Sequence, residues 1–268
     1  MASPSLTRYV SNGVTLLGDT DRPGGVTFAF TEREGGVSKG QFASLNLGSR
    51  CGDEPADVAE NRARALAAVG AARIAGNLVE PKQVHGDNVV VIRDAAPEAI
   101  EAARVEALEG ADAIVCTAPG VPVLLCFADC VPVVLAAPGA FAVIHSGWRG
   151  TLARISAKAL GILCRESNAR PDEVYAYVGP HILGEDYEVS PELLQTFVDE
   201  FGSMVHAAST NSNLDLSAAI ACALGDAGLP AANLVDSCVS TAANTGRFFS
   251  YRAEGGLCGR HAAIAYLS

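Results

Sequence analysis

Between Ala111 and Ser146 four apolar runs follow one another, separated by only two or three residues: ADAIVCT (111–117), VPVLLCF (121–127), VPVVLAA (131–137) and AFAVIHS (140–146). Short apolar runs bounded by turn residues read as strands buried on both faces or held between layers. Elsewhere strand and helix patterns interleave, and many strands are joined by tight turns. The expected fold class is therefore α/β, a mixed-sheet system with helices outside. No linker, charge block or internal repeat divides the chain, so one domain over residues 1–268 is expected.

The remaining elements fit this frame. Residues 8–30 read as hairpin strands, with Asn12-Gly13 as the first turn and VTFAF following Pro23-Gly24-Gly25. Residues 31–52 are glycine-rich and polar without periodicity, and a loop this long inside a compact domain is usually functional. Asp53 is placed to cap a helix with Pro55 in its first turn, running to Gly70. LVEPKQVHG and NVVVIRD read as a second hairpin about Gly86-Asp87-Asn88, with His85 at its turn. Helices are expected over 97–109, Gly150 to Arg165, Pro191 to Phe201 and 214–228, and strands over 173–179, 233–238 and 261–267.

Charge and cysteine content narrow the function classes. The net charge is -11 and no basic cluster occurs, so neither nucleic acid nor an anionic membrane is an expected partner. No apolar run reaches spanning length, and MASPSLTRYVSNG lacks the charged-then-apolar pattern of a signal peptide. The eight cysteines fall largely in apolar runs, which suits reduced thiols in the cytoplasm better than disulfides.

The segment from Phe127 to Gly150, FADCVPVVLAAPGAFAVIHSGWRG, carries the clearest chemistry. Counting outward from Pro138-Gly139 pairs Ala137 with Ala140 and puts Cys130 two places from the residue opposite His145. That diagonal is roughly 7–8 Å, within reach of side chains sharing an ion. A third ligand would complete a zinc site with one open corner, whereas a buried cysteine without function is the alternative. His145 then leads through Ser146-Gly147-Trp148-Arg149-Gly150 into a helix start. Free N–H groups there and the planar fork of Arg149 suit phosphate, or else form a tight turn bearing a surface charge. Asp129 can orient a ligand, act as a base or simply form a turn. Gln83 can donate into the same cleft or face solvent. His85, at a strand end beside a glycine, joins His145 as a candidate. His181 is given no role, and His206 and His261 are read as structural or surface histidines.

The strings GGVSKGQFASLNLG, ENRARAL, KQVHG, ADAIV, FADCVPV…AVIHSGWRG, YEV at 187–189, LDL at 214–216 and FFSYR…CGR are similar, in order and over nearly the whole chain, to the YfiH family. Its members were long labelled multicopper polyphenol oxidase (laccase) or domain of unknown function 152. Ser146 departs from the alanine usual in the family. The resemblance implies an α/β/β/α layered fold, shared with bacterial toxin deamidases of the cytotoxic necrotising factor type. It implies zinc bound by His85, Cys130 and His145, with copper as the alternative metal. It also implies phosphorolysis of adenosine, inosine and methylthioadenosine, together with adenosine deamination. Purine nucleosides and phosphate are then the partners, Asp129 and Arg149 the catalytic candidates, and Ser44, Asn46 and Gln83 the candidate substrate contacts. The zinc deaminase signature of H-x-E with P-C-x-x-C is absent, so deamination here would use an unrelated scaffold.

Three other readings compete. Cys130 could be the nucleophile of a Cys-His hydrolase or amidase acting in peptidoglycan precursor editing. Two histidines and a cysteine could also hold copper for a polyphenol oxidase, though a multicopper enzyme needs further centres than five histidines supply. A non-enzymatic metal-binding or scaffold protein is the third.

Overall fold

The computed structural model describes residues 4–207 and 211–268. Residues 1–3, part of the N-terminal segment read above for a signal peptide, and residues 208–210 lie outside that description. Eleven strands are described: β1 (Thr7–Ser11), β2 (Val14–Gly18), β3 (Val26–Thr31), β4 (Val89–Ile92), β5 (Ala113–Cys116), β6 (Val123–Phe127), β7 (Val131–Ala137), β8 (Ala140–Ser146), β9 (Tyr175–Val178), β10 (Leu234–Asp236) and β11 (His261–Leu267). The helices are α1 (Pro55–Ala68), α2 (Pro97–Glu109), α3 (Trp148–Leu152), α4 (Ile155–Ser167), α5 (Pro191–Phe201) and α6 (Leu216–Asp226). None is long and apolar enough to cross a membrane.

The strands form two mixed or antiparallel sheets, ordered β1-β2-β3-β11-β6 and β10-β9-β7-β8-β5-β4. Side chains alternate across each strand, and the alternation builds the layers. From β7, Val131, Val133 and Leu135 face α4, α5 and α6. Val134 and Ala136 face the first sheet, where Phe28, Leu125 and Ala263 meet them. The far face of the first sheet, through Leu16, Leu124 and Ile264, packs on Ala65 and Leu66 of α1. The order is helices, sheet, sheet, helix, the expected α/β/β/α arrangement. The four apolar runs divide between the sheets: β5, β7 and β8 share one, while β6 pairs with β11 in the other.

The β7–β8 hairpin has the register counted from its turn, Ala137 opposite Ala140 and Pro132 opposite His145, without a bulge. Three expectations are corrected. Residues 78–88 do not form a hairpin with β4, which pairs in parallel with β5 instead. The backbone N–H groups of Val84, His85 and Gly86 go to the carboxylate of Asp112, so no ladder can use them. The helix expected from Gly150 to Arg165 is broken into α3 and α4, because Arg154 takes a left-handed backbone (φ 57°). Its guanidinium there pairs with Glu200 and Asp226. Asp53 does not cap α1. Glu54 holds the N-cap position, and the Asp53 carboxylate instead receives hydrogen bonds from Ser38 and Asn46.

Candidate metal centre

Three separate segments converge at one end of the sandwich. His85 comes from the irregular 78–88 stretch, Cys130 from the short link between β6 and β7, and His145 from the C-terminal end of β8. Phe141 and Val143 of β8 face the layer between the sheets, so His145, two residues on, points there as well. One ligand atom from each of His85, Cys130 and His145 lies within 4.8 Å of the others, and this is the only such group of three or more His, Cys, Asp or Glu among the described residues. The two imidazoles meet edge to face, with centroids 4.8 Å apart. Phe127 closes the inner side, 5.5 Å from the His145 ring.

Asp112 holds this group from behind. It is fully buried at the head of β5. Its Oδ1 lies 2.7 Å from His145 Nδ1 and accepts from the backbone N–H of His85 at 2.9 Å. Its Oδ2 accepts from Val84 and Gly86 at 3.2 and 2.7 Å. A carboxylate can only accept, so Nδ1 of His145 carries its proton and Nε2 is left for the cluster. Burial pushes the Asp112 carboxyl up, but the hydrogen bond and charge of His145 and the Gly86 and Val84 amides outweigh it and hold it below the usual range.

Without a metal the same groups form a thiolate–imidazolium pair. Burial favours a neutral Cys130 thiol, yet His145, and hydrogen bonds from both imidazoles, pull it down to about 6. Burial likewise favours neutral His145, but the Cys130 charge and Asp112 lift it to about 9. Cys126 is the contrast: burial and then Glu80 push its thiol up to about 12, so it stays inert at neutral pH.

Gly147 leaves the room. A Cβ at this position would stand 3.1 Å from His85 Cδ2, 3.2 Å from Cys130 Sγ and 3.7 Å from His145 Cε1. The backbone is extended (φ -74°, ψ 171°), so glycine is not required there by conformation. What it provides is space beside the three donor atoms.

The cluster lies in the wall of a cavity of about 630 Å³, a volume usual for a small-molecule site. Four arginines line it, Arg50, Arg149, Arg252 and Arg260, against the two acids Glu80 and Asp129. A chain of net charge -11 thus gathers positive charge at this one opening. Three of the arginines lie over aromatic rings in the same wall: Arg149 over Trp148 at 4.3 Å, Arg252 over Tyr187 at 5.2 Å and Arg260 over Tyr251 at 5.8 Å. The wall can therefore take both a planar ring and an anion.

The residues singled out in the sequence divide. His85, Cys130, His145, Asp129, Arg149 and Gln83 all line the cavity. Gln83, however, is engaged with the backbone of Cys126, donating from Nε2 to its carbonyl and accepting its N–H at Oε1, both at 2.8 Å. Asp129, at φ 85°, accepts from Thr241 Oγ1 at 2.7 Å and from Arg252 N at 2.6 Å. Ser44 and Asn46 are outside the lining. Ser44 Oγ accepts from Gly35 and Gly36 and donates to Arg33. Fully buried Asn46 ties Gly48, Asp53 and Arg260 together, so Asn46 fixes the loop that bears Ser49, Arg50 and Cys51, while Ser44 fixes residues 33–36. The helix start after His145 is present, but α3 is only five residues long. His181 and His261 are buried and stand outside the three-donor group, His261 stacking on Phe127 at 6.4 Å, and exposed His206 bonds the Asn211 carbonyl.

Sequence reasoning gave no role to Asp112, Gly147, Tyr187, Tyr251, Arg252 or Arg260. Asp112 did leave a signal: an aspartate heading an otherwise apolar strand needs buried donors. The aromatic and arginine residues lie within the YEV and FFSYR…CGR strings that carry the family resemblance, but nothing in their local pattern shows that the fold gathers them from distant loops.

The family model described as multi-copper polyphenol oxidoreductase laccase matches residues 27–268. A purine nucleoside phosphorylase of Deinococcus radiodurans is 39% identical over 242 residues, covering 89% of this chain and 88% of its own. An adenosine deaminase, RL5, from an unknown prokaryotic organism is 34% identical, covering 87% of this chain and 90% of its own. The crystal structure of the Bacillus licheniformis hypothetical protein YfiH superposes with a TM-score of 0.84 at 25% identity, over 96% of this chain and 97% of that one.

Proposed function

The chain belongs to the multi-copper polyphenol oxidoreductase laccase family, the YfiH group of folds, and from that premise we propose that it is a zinc-dependent purine nucleoside phosphorylase acting on adenosine, inosine and methylthioadenosine, with adenosine deaminase activity. The observation that carries this reading is the three-donor cluster of His85, Cys130 and His145 in the wall of an arginine-lined cavity. The activities themselves come from the names of relatives that match most of the chain.

The residues fit a zinc ion. One thiolate and two imidazoles are a borderline-soft donor set, three protein ligands leave a fourth position, and Gly147 keeps the adjoining space free. A multicopper centre would need further ligand groups, and the described residues offer none besides this one. When bound, zinc supplies Lewis acidity at its open corner. The chain's own groups do the rest. Tyr187 and Tyr251 offer flat surfaces to the purine ring. Arg149, exposed at the rim, holds phosphate against the ribose C1′. There the C–N bond to the base breaks and a C–O bond to phosphate forms, and the base leaves with a proton. Each oxygen of Asp129 accepts one hydrogen bond, from Thr241 and from the Arg252 backbone, which leaves lone pairs free and holds the carboxylate in the cavity wall beside Cys130, where it can act as a base. Gln83 contributes by fixing Cys126 in the cavity wall. A cytoplasmic setting would supply both nucleosides and phosphate and keep the cysteines reduced.

One observation favours a second reading. Cys130, His145 and Asp112 stand in the order nucleophile, base and orienting carboxylate, with the thiol acidified to about 6. A Cys-His hydrolase or amidase would use them so. The two readings separate cleanly. Purified protein is incubated with a nucleoside panel with and without phosphate, products are identified, and zinc content is measured on the unaltered chain and on Cys130→Ala. Phosphate-dependent release of free base, lost together with zinc in Cys130→Ala, is the expected result. A Cys130→Ala protein that keeps its zinc and its turnover refutes the ligand assignment. Thiol alkylation that abolishes amide hydrolysis without releasing metal transfers the argument to the hydrolase.

A further inference from the structure

We propose that Asp112 is a positioning residue that sets both histidines of the metal centre at once, one through its ring and the other through its backbone. This rests on the reading of His85, Cys130 and His145 as ligands. The geometry is unusually shared. A single buried carboxylate receives four donors: His145 Nδ1 and the three successive amides of Val84, His85 and Gly86. A carboxylate behind a ligating imidazole commonly fixes the tautomer and aims the ring. Here it also binds the turn from which the second imidazole projects.

That turn needs holding. His85 has a left-handed backbone (φ 60°), which an L-residue other than glycine adopts only at a cost. It lies outside any strand, and the amides on either side of it are both bonded to Asp112. Remove the carboxylate and the turn loses the contacts that offset the strain, while the His145 ring loses its stop. The two imidazoles, 4.8 Å apart and edge to face, then have no common reference. Residues 84–86 thus join no ladder, because their N–H groups are committed to Asp112.

Asparagine cannot substitute, although it is nearly the same size. Every partner of Asp112 is a donor, and Asn has one acceptor oxygen and one donor nitrogen. With its oxygen at the Oδ1 position, its NH2 faces the Val84 and Gly86 amides and the His85 turn is released. With its oxygen at the Oδ2 position, its NH2 faces His145 and favours the tautomer protonated at Nε2, which cannot ligate through that nitrogen. Either way one of the two histidines loses its hold.

The test is Asp112→Asn in the full-length chain, read in three ways. Zinc affinity is measured by chelator competition, and a loss of roughly 10–100-fold is expected. The cobalt-substituted protein should keep its thiolate-to-metal charge-transfer band from Cys130 while the d–d bands of a tetrahedral site weaken, whereas general unfolding would remove both. In metal-free protein the amides of Val84, His85 and Gly86 should exchange hydrogen faster than those of β7 and β8, which stay protected. Unchanged zinc affinity with unchanged exchange at these amides overturns the proposal. If the unaltered chain itself takes up no zinc, the metal reading fails, and the exchange data still decide whether Asp112 holds the His85 turn. Should the variant fold poorly, Val84→Pro, which deletes the longest of the four donor contacts and leaves the residue after His85 unchanged, should give a smaller loss of the same kind. An unaffected zinc site in that protein likewise overturns the shared hold.

Discussion

Replacing Gly147 with alanine is the sharpest way to perturb the centre without perturbing the fold. The added Cβ would stand 3.1 Å from His85 Cδ2 and 3.2 Å from Cys130 Sγ. Non-bonded carbons rest at about 3.5–4.0 Å, so the His85 ring and the Cys130 sulfur must each yield by a few tenths of an ångström. Metal bonds tolerate only about ±0.2 Å, so at least one ligand leaves its working position. Displacing a ligand's support typically weakens metal binding by about 10–100-fold, equivalent to about 1.4–2.7 kcal/mol. The metal-free fold should hardly register the change. The backbone is extended, where alanine is unstrained and gains about 0.4–1 kcal/mol from a less flexible unfolded chain. Against this, alanine is a poorer N-cap for α3 by a similar amount. The metal-free melting temperature should therefore stay within about 2–4 °C of the unaltered chain. Chelator competition and thermal melts with and without zinc read both quantities. If Gly147→Ala binds zinc as tightly as the unaltered chain while melting normally, the donors do not converge on an ion beside this glycine, and the ligand assignment is refuted.

Zinc affinity should rise with pH by one decade per pH unit between about 6 and 9. In that window Cys130 is already a thiolate while His145 keeps the proton that zinc must displace; below it the thiol is protonated too and the slope steepens. Competition titrations that stay flat across the window would dismiss the ion pair. Arg149→Ala should raise the apparent KM for phosphate by about 10-fold or more, the loss of one charge-assisted contact of about 1.5–3 kcal/mol, with deamination little changed. Equal losses in both reactions would remove its phosphate role. Glu32→Gln should cost about 1–3 kcal/mol at pH 7, because buried Glu32 joins Arg8 of β1 to Arg247 near the C-terminus. Burial alone would raise the Glu32 carboxyl, but both arginines hold it below its usual range. Its contribution is therefore complete above the unfolded value of about 4.3 and fades as pH falls toward the folded one. Denaturant melts that show the same gap between the two proteins at pH 7 and pH 3 would contradict this.

The parts of this molecule that were legible in the sequence are those that rest on local pattern. The β7–β8 register follows from Pro138-Gly139 and unbroken alternation, so it could be counted, and with it the approach of Cys130 to His145. Helices α2 and α5 begin at prolines and end beside glycines, and their bounds could be read directly. The parts that were not legible are those decided by distant partners. Whether residues 78–88 pair with β4 depends on Asp112, more than twenty residues on. Whether Ser44 and Asn46 touch a ligand depends on how the glycine-rich loop satisfies its own polar groups, and it does so through them. Gln83 looked free because nothing in its neighbourhood announces the Cys126 backbone. His85 and Cys130 are joined to His145 by resemblance and by the fold; spacing alone supplied only the second of these pairings.

The proton on His145 links the two readings of the site more closely than their chemistries suggest. A Cys-His nucleophile requires that proton to sit between imidazole and thiolate, and a zinc site requires it gone. Asp112 supports both, since it binds the opposite ring nitrogen in either state. What differs is His85. A nucleophile–base–carboxylate arrangement is complete with Cys130, His145 and Asp112, and has no need of a second imidazole in a strained turn. Yet three successive amides are withdrawn from the sheet to place that imidazole within 4.8 Å of the other two donors. Gly147, likewise, keeps open a space bordered by all three donors, His85 the nearest of them. Structure that positions His85 beside the other two donors has a use in the proposed metal site and none in the hydrolase reading. Accordingly His85→Ala should abolish tight zinc binding while leaving Cys130 in the metal-free protein still clearly more reactive toward alkylation than an ordinary thiol, because His145 lowers that thiol more than His85 does. A metal-free His85→Ala protein whose Cys130 reacts as slowly as an ordinary thiol would mean that both imidazoles serve the sulfur, and the case for a dedicated metal ligand would lose its footing.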